Sequence, residues 1–506
     1  MTGNSNIAVW VADRALSDPH LPAIQQGETI LSYAALDGAA ARFATQLAER
    51  GVRAGDRVAL IMPNVAYFPI AYYAILRLGA VVVPMNPLLK AGEVAYTFDD
   101  AGARVAVVFP LFAEEAHKAA ATTGTEVLVT VPQEFEQGLS ASEPTAEVAV
   151  VDASDTAVIL YTSGTTGQPK GAELSHANLR SNAATTRETL MPNGPGDVLF
   201  GGLPLFHSFG QTCGLNAAMA GGACLTLLPK FDGEQALEVI QRDRVTIFLG
   251  VPTMYMGLLA VKDPGRFDVS TVKVGASGGA SLPVEVLRGV ERTYGFPVIE
   301  GYGLSETSPV ASFNHPDRPS KPGSVGTPIR GVEFALHDEE GNAIGDDATG
   351  EDAIGEIVIR GENVMKGYWR RPEETAEALR GGWFHSGDLA TRDADGYYFI
   401  VDRLKDMIIR NGFNVYPREV EEVLYAHPAV AEAAVFGIPD PAHGEEIAAM
   451  VTLKDGASAT PDELRDFVAD KIAVYKYPRV VRLGVLPKGP TGKILKRDIQ
   501  IWGPAA

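Results

Sequence analysis

Residues 161–171 read Tyr-Thr-Ser-Gly-Thr-Thr-Gly-Gln-Pro-Lys-Gly and follow the apolar run Ala157-Val158-Ile159-Leu160. Gly164 and Gly167 let backbone N–H groups converge on an anion. The hydroxyls of Thr162, Ser163, Thr165 and Thr166 can donate to phosphate oxygens, and Lys170 adds a mobile positive charge. The stretch reads as a phosphate cradle for a nucleoside triphosphate. It is not a Walker A loop, because Gly167 is followed by Gln168 and Pro169 rather than by Lys and Ser or Thr. A polar surface turn would use the same residue types.

Three more stretches carry chemistry. Glu300-Gly-Tyr-Gly-Leu-Ser-Glu306 opens from a strand-like Val298-Ile299. Its glycines bring backbone close to a ligand, Tyr302 offers a ring for a base, and Glu306 offers hard oxygen for Mg²⁺. Trp383-Phe-His-Ser-Gly-Asp388 ends on a carboxylate that can accept from two ribose hydroxyls. Pro487-Lys-Gly-Pro-Thr-Gly-Lys-Ile494 places Lys493 on a stiff turn. Such a lysine is ordinarily solvated, and becomes catalytic only if its loop enters a cleft. A rival pattern is Gly275-Ala-Ser-Gly-Gly279, which fits the Gly-x-Ser-x-Gly elbow of serine hydrolases, with His315 or His385 as the base.

Alternating β-branched and amphipathic runs must position these groups. Strands are expected at 57–62, 81–84, 103–109, 125–131, 157–161, 224–228, 245–250, 272–275 and 298–301, and helices at 71–78, 175–190, 235–242 and 282–294. Such alternation implies crossover units and largely parallel sheets. Ser175 is an N-cap residue. Near 333–360 the texture turns to short strands around a turn at 338–342. A boundary is expected at the charged run Asp402-Arg-Leu-Lys-Asp406, followed by a compact α+β piece with strands at 407–409, 431–436 and 447–453 and helices at 417–425 and 462–471.

The chain has 506 residues, too many for one core. Its net charge of −20 disfavours a nucleic-acid partner or an anionic lipid surface. Cys213 and Cys224 are the only cysteines, so a reducing, cytoplasmic setting and buried packing roles are expected. The start lacks a basic, apolar leader pattern. The apolar stretch 68–85 is broken by Arg77, Gly79 and Pro84 and reads as a buried helix and strand, not a membrane span.

Taken in order, these stretches resemble the adenylate-forming acyl-CoA synthetase superfamily, closest in look to the fatty acid–CoA and coumarate–CoA ligases. The likeness extends to Leu203-Pro-Leu-Phe-His-Ser-Phe-Gly210, to 277–283 and to 402–417, and so covers nearly the whole chain. It implies an α/β fold: a large N-terminal domain (1–402) of mixed and parallel sheets with a β-rich subdomain, and a small mobile α+β C-terminal domain (403–506) hinged near Lys405.

The resemblance also implies roles. The segment Thr162–Lys170 would hold the β- and γ-phosphates. Gly279, Ala280, Glu300, Gly301, Tyr302, Gly303, Ser305 and Ile400 would surround the nucleotide, Asp388 and Arg403 the ribose. Glu306 would bind Mg²⁺, and Lys493, with Thr165 and His207, would serve adenylation. His207, Phe209, Gly214, Val251, Gly275, Ala276, Gly278 and Leu304 would line the acyl pocket, and Gly412 the thiol tunnel. Three positions depart from the family pattern: Ser305 stands for threonine, Asn411 for glycine and Ser281 for proline. No aspartate lies between Leu203 and Gly210 to pair with an α-ammonium, so an amino acid is disfavoured. The expected substrates are ATP, coenzyme A and a fatty acid. The alternatives are an aryl acid, or an acyl carrier protein as the acceptor.

Overall fold

The computed structural model describes residues 3–144, 147–162, 168–345, 348–411, 413–489 and 492–499, without the side chains of Glu351, Asp352 and Arg497. Among these residues the strands form four sheets. One has seven strands, in the order Gly367–Tyr368, Lys170–Ser175, Thr156–Thr162, Val81–Met85, Arg57–Ile61, Ala103–Val108 and Glu126–Val129. The five at the Glu126–Val129 end pair in parallel. Four of these are mostly β-branched or apolar and buried, as strands covered on both faces must be, while the edge strand Glu126–Val129 is exposed to half-buried.

A nine-stranded sheet runs through Val310–Phe313, Val298–Gly303, Val274–Ser277, Ile247–Gly250, Val198–Gly201, Cys224–Leu227 and Pro22–Gln26. Its inner pairs are parallel, and antiparallel pairing appears only toward its edges. The expectation of largely parallel sheets holds for both interiors. Both candidate ligand loops sit where the pairing reverses: Thr162 pairs with Lys170, and Tyr302 with Ser312.

The expected β-rich region is a four-stranded antiparallel sheet, Val332–His337, Gly355–Gly361, Phe384–Arg392 and Tyr398–Arg403. Beyond it, Ile408–Arg410, Phe413–Val415, Val430–Asp440, Gly444–Leu453 and Val480–Leu483 make the sheet of the small lobe. One face of this sheet packs on helices Pro417–Tyr425 and Pro461–Ala469 through Val420, Leu424, Leu464 and Val468, a core separate from that of the large lobe. The opposite face carries a smaller cluster of Ala434, Met450, Leu486 and Ile499, against which Ile494 packs.

Ser175 caps its helix as expected, accepting from Asn178 N at 3.1 Å. The helix expected over 175–190 is interrupted: regular α-helix ends at Thr185, and the N–H of Met191 reaches back five residues to the Thr186 carbonyl at 2.8 Å. A widened turn of this kind keeps the same side-chain types as an α-helix, so the pattern does not separate them. Cys213 and Cys224 are buried thiols, each pushed up to about 12 by burial. Among the described residues no helix is long and apolar enough to cross a membrane.

Candidate active site

The strands Thr156–Thr162 and Lys170–Ser175 form a hairpin whose tip is the candidate phosphate cradle. Ser163, Gly164, Thr165, Thr166 and Gly167 lie outside the described residues, as does Gly412. The ends that bracket the cradle are placed. Thr162 Oγ1 donates to Glu306 Oε1 at 3.2 Å, and the Tyr368 hydroxyl donates to the same oxygen at 3.0 Å. The Lys170 ammonium lies 5.3 Å from the centre of the Tyr368 ring. Burial raises the Glu306 carboxyl above its ordinary value, and the hydroxyls of Tyr368 and Thr162 offset part of that. The cradle thus joins two strands rather than a strand and a helix, and the charge and hydroxyls available to it include Lys170 and Thr162.

A divalent cation would be held at Glu306. Its donors here are oxygens, which suit Mg²⁺. Among the described residues no group of three or more His, Cys, Asp or Glu side chains forms a metal cage. A magnesium ion would therefore rest on Glu306 and on substrate phosphate oxygens.

Tyr302 and Asp388 meet on the neighbouring side. The Tyr302 hydroxyl donates to Asp388 Oδ2 at 2.6 Å, while Arg403 Nε stands 3.4 Å from Oδ1. Strand register sets Asp388 opposite Arg403. Burial raises the Asp388 carboxyl, with Arg403 opposing. A ribose diol would share an aspartate already held in place by these two partners. Gly301 is required here: a Cβ on it would overlap the Phe313 ring. Ser305 Oγ lies 3.4 Å from Ser208 Oγ, so the departure from threonine retains a bonding hydroxyl.

The acyl-pocket candidates gather beside this. A Cβ on Gly278 would stand 3.3 Å from the Phe209 ring, and one on Gly279 would stand 3.6 Å from Val251. Gly275 faces Phe296 and the Tyr255 hydroxyl, and Gly214 faces Leu249 and Leu225. Ala276 is fully buried, while Ala280 and Leu304 are half-buried. His207 Nδ1 accepts from Phe209 N at 3.3 Å, which leaves the ring proton on Nε2. Burial first, then repulsion from Lys493, lowers His207 to about 4, so it is neutral at pH 7.

The small lobe reaches this place. Gly492, in left-handed backbone at φ 78°, packs so closely on the large lobe that a Cβ would stand 2.5 Å from Thr253 Oγ1 and 3.2 Å from Val251. Lys493 follows it. Its side chain keeps solvent exposure, yet surrounding protein and the Arg403 guanidinium lower its ammonium to about 8, against the pull of Asp388 and Asp406.

Other expected residues sit differently. Glu300 is buried and turned toward Leu282, whose N–H donates to Oε1 at 2.9 Å; Oε2 has no hydrogen-bond partner among the described residues. Ile400 packs on the large core and offers its carbonyl to Arg418. Lys405 is exposed in the turn after Arg403. Asn411 adopts φ 52°, which Asn tolerates better than most residues, so the departure from glycine preserves the backbone shape. Tyr368, Thr253 and Arg418 escaped the sequence reading. Tyr368 is far along the chain from Thr162, and no local pattern singles it out.

The serine-hydrolase pattern fails on geometry. Ser277 ends a strand, is fully buried, and its hydroxyl has no hydrogen-bond partner among the described residues. An elbow serine must stand exposed beside a base. His385 bonds Glu356 through Nδ1 at 2.8 Å instead.

Comparison with known proteins agrees with this geometry. The AMP-binding enzyme family model matches residues 11–369, and its C-terminal domain model matches 419–493. A long-chain-fatty-acid–CoA ligase of Bacillus subtilis is 36% identical, over 98% of this chain and 94% of the relative. A feruloyl-CoA synthase of an Amycolatopsis species is 39% identical, over 98% of this chain and 99% of its own length. The crystal structure of an anthranilate CoA ligase in complex with anthranoyl-AMP superposes with a TM-score of 0.91 at 29% identity, over 98% of this chain and 96% of that one. The chain belongs to the AMP-binding enzyme family and is an AMP-forming acid–thiol ligase.

Proposed function

We propose that the protein activates a carboxylic acid with an apolar body as its acyl-adenylate, releasing diphosphate, and then passes the acyl group to the thiol of coenzyme A. The observation that carries this reading is the Gly492–Thr253 contact, which seats the Lys493 tip of the small lobe beside His207 and Asp388.

The chemistry needs that convergence. A carboxylate is a poor acyl donor because its leaving group would be oxide. Attack of its oxygen on the α-phosphorus of ATP forms the mixed anhydride and expels diphosphate. Two anions must approach, so positive groups have to be held in place beforehand. Lys493 neutralises charge at the α-phosphate and carboxylate. Lys170 and the hydroxyls of the 162–167 loop hold the outer phosphates. Magnesium, when bound at Glu306, supplies further charge neutralisation. Tyr302 and Asp388 fix the nucleoside, and neutral His207 separates the nucleotide from the acyl pocket without adding charge.

The thiol then attacks the acyl carbonyl and AMP leaves. Lys493 occupies the space beside that carbonyl, so the small lobe turns about the Lys405 region between the two steps. The segment after Arg403 joins two separate cores, which permits such a turn.

A fatty acid is the first reading of the substrate. The pocket candidates Gly214, Gly275, Ala276 and Gly278 are small, and small residues suit a deep slot. An aryl acid is the second, favoured by the identity to the feruloyl-CoA synthase. Diphosphate release measured over fatty, aryl and amino acids, with and without CoA, tests the proposal. Binding of MgATP with no diphosphate released for any acid would end it, and thioester formation only with a carrier protein would reassign the acceptor.

A further inference from the structure

Helix Pro417–Tyr425 is one of the places where the small lobe meets the large one, and Arg418 in its first turn ties three segments together. Its Nη1 donates to the Ile400 carbonyl at 2.6 Å, and its Nη2 to the Gly323 carbonyl at 3.2 Å. Its backbone N–H donates to Asp402 Oδ2 at 3.0 Å, while Asp402 Oδ1 accepts from Arg403 N at 2.7 Å. The bonds thus straddle the turn that contains Lys405. One helical turn on, Glu422 bonds the backbone N–H of Val284, at the start of helix Val284–Tyr294. Arg418 is also a cation that acts on Glu300, the buried large-lobe carboxylate, one of whose oxygens has no partner among the described residues.

The same sheet transmits this anchorage to Lys493. The helix bearing Arg418 packs on one face through Val420 and Leu424, against Ala433 and Val435. On the opposite face Ala434 and Met450 hold Ile494, the neighbour of Lys493. Alternate residues of one strand, Val430–Asp440, serve the two faces. Fixing the helix against the large lobe therefore fixes where the Lys493 tip falls. The fork of Arg418 on two carbonyls suits this task, because a guanidinium presents its donors in a rigid plane.

We infer that Arg418 is a positioning residue for adenylate formation: its bonds to Ile400 and Gly323 hold the small lobe in the orientation that seats Lys493, and they part when the lobe turns for the thiol step. This rests on the two-step reading under Proposed function.

The test separates the half-reactions in Arg418→Ala and Arg418→Lys, using an acid active with the wild-type protein and its preformed acyl-adenylate. Acid-dependent diphosphate release falls about tenfold to a hundredfold in Arg418→Ala, the scale of losing hydrogen bonds from a charged donor. Transfer from the preformed adenylate to CoA stays within about twofold of wild type. Arg418→Lys, which keeps the charge and loses the fork, recovers only part of the first step. Should Arg418→Ala fold poorly, Arg418→Lys decides by the same split. Equal loss in both half-reactions, or none in the first, overturns the inference. A wild-type protein that releases no diphosphate overturns the functional reading, and this inference with it.

Discussion

Thr162 Oγ1 lies 3.2 Å from Glu306 Oε1, although 144 residues separate them in the chain. The contact joins the seven-stranded sheet to the segment after Val298–Gly303 of the nine-stranded one, and puts the candidate metal carboxylate beside Thr162, where the candidate phosphate loop begins. Glu306→Gln keeps the shape and removes the charge. Diphosphate release is expected to fall by about 10²–10³, the scale of losing one preorganised charge-stabilising group. Titration with MgCl₂ checks the cause: the variant needs more magnesium, whereas an unchanged magnesium dependence would remove Glu306 from that role.

Gly492 tests the seating of the tip. Gly492→Ala forces a side chain into left-handed backbone, at about 1–2 kcal/mol, and sets it against Thr253. Adenylate formation is expected to slow about tenfold or more, and thiol transfer to be spared. A variant with wild-type diphosphate release would show that the loop does not need this seat.

Lys493 sets a pH limit. Desolvation by surrounding protein, then Arg403, lowers its ammonium to about 8 although the side chain keeps some solvent exposure, so the free enzyme loses this charge as pH rises through that value. The kcat/KM for ATP in diphosphate release, which reports on the free enzyme, is expected to decline above about pH 8. Thiol transfer from preformed adenylate should not share the decline once thiolate concentration is allowed for. A common fall in both steps would assign the titration elsewhere.

Glu300 sets a stability window. Burial raises its carboxyl from 4.5 to about 7, opposed by Arg418. The folded protein holds that proton where the unfolded chain has released it. Its contribution is therefore full below about pH 4.5 and is lost as pH rises through about 7. Melting temperatures of wild type and Glu300→Gln at about pH 5 and pH 8 check this, the variant losing less stability over the interval. Parallel behaviour would place the titrating group elsewhere.

Ser277 closes the alternative chemistry. Its hydroxyl is buried without a partner among the described residues, so Ser277→Ala removes no hydrogen bond among them. Stability and diphosphate release are expected to stay close to wild type. Loss of an ATP-independent esterase activity in this variant would revive the hydrolase reading.

Parts of the fold were legible because they are local. The helix at 417–425 matches the expected bounds, since Pro417 opens it and Val420 and Leu424 recur at helical spacing. The widened turn at Thr186–Leu190 was not legible, because nothing in residue type marks a five-residue hydrogen bond. Asp388 and Arg403 were each placed near the ribose, but their face-to-face register came from strand pairing.

By itself, the order of motifs determined the class of chemistry: a hydroxyl-rich loop, a Gly-Tyr-Gly turn ending in glutamate, an aspartate and a late lysine describe charge neutralisation around a triphosphate. Residue type and spacing suffice there, because they state which groups can donate, accept or carry charge. Only the tertiary structure decided which groups meet. It set Tyr368 on Glu306, turned Glu300 toward Leu282, buried Ser277, and tied Arg418 to Gly323. Those pairings depend on sheet order and on how the two lobes pack, and contacts between distant segments leave no period in the chain.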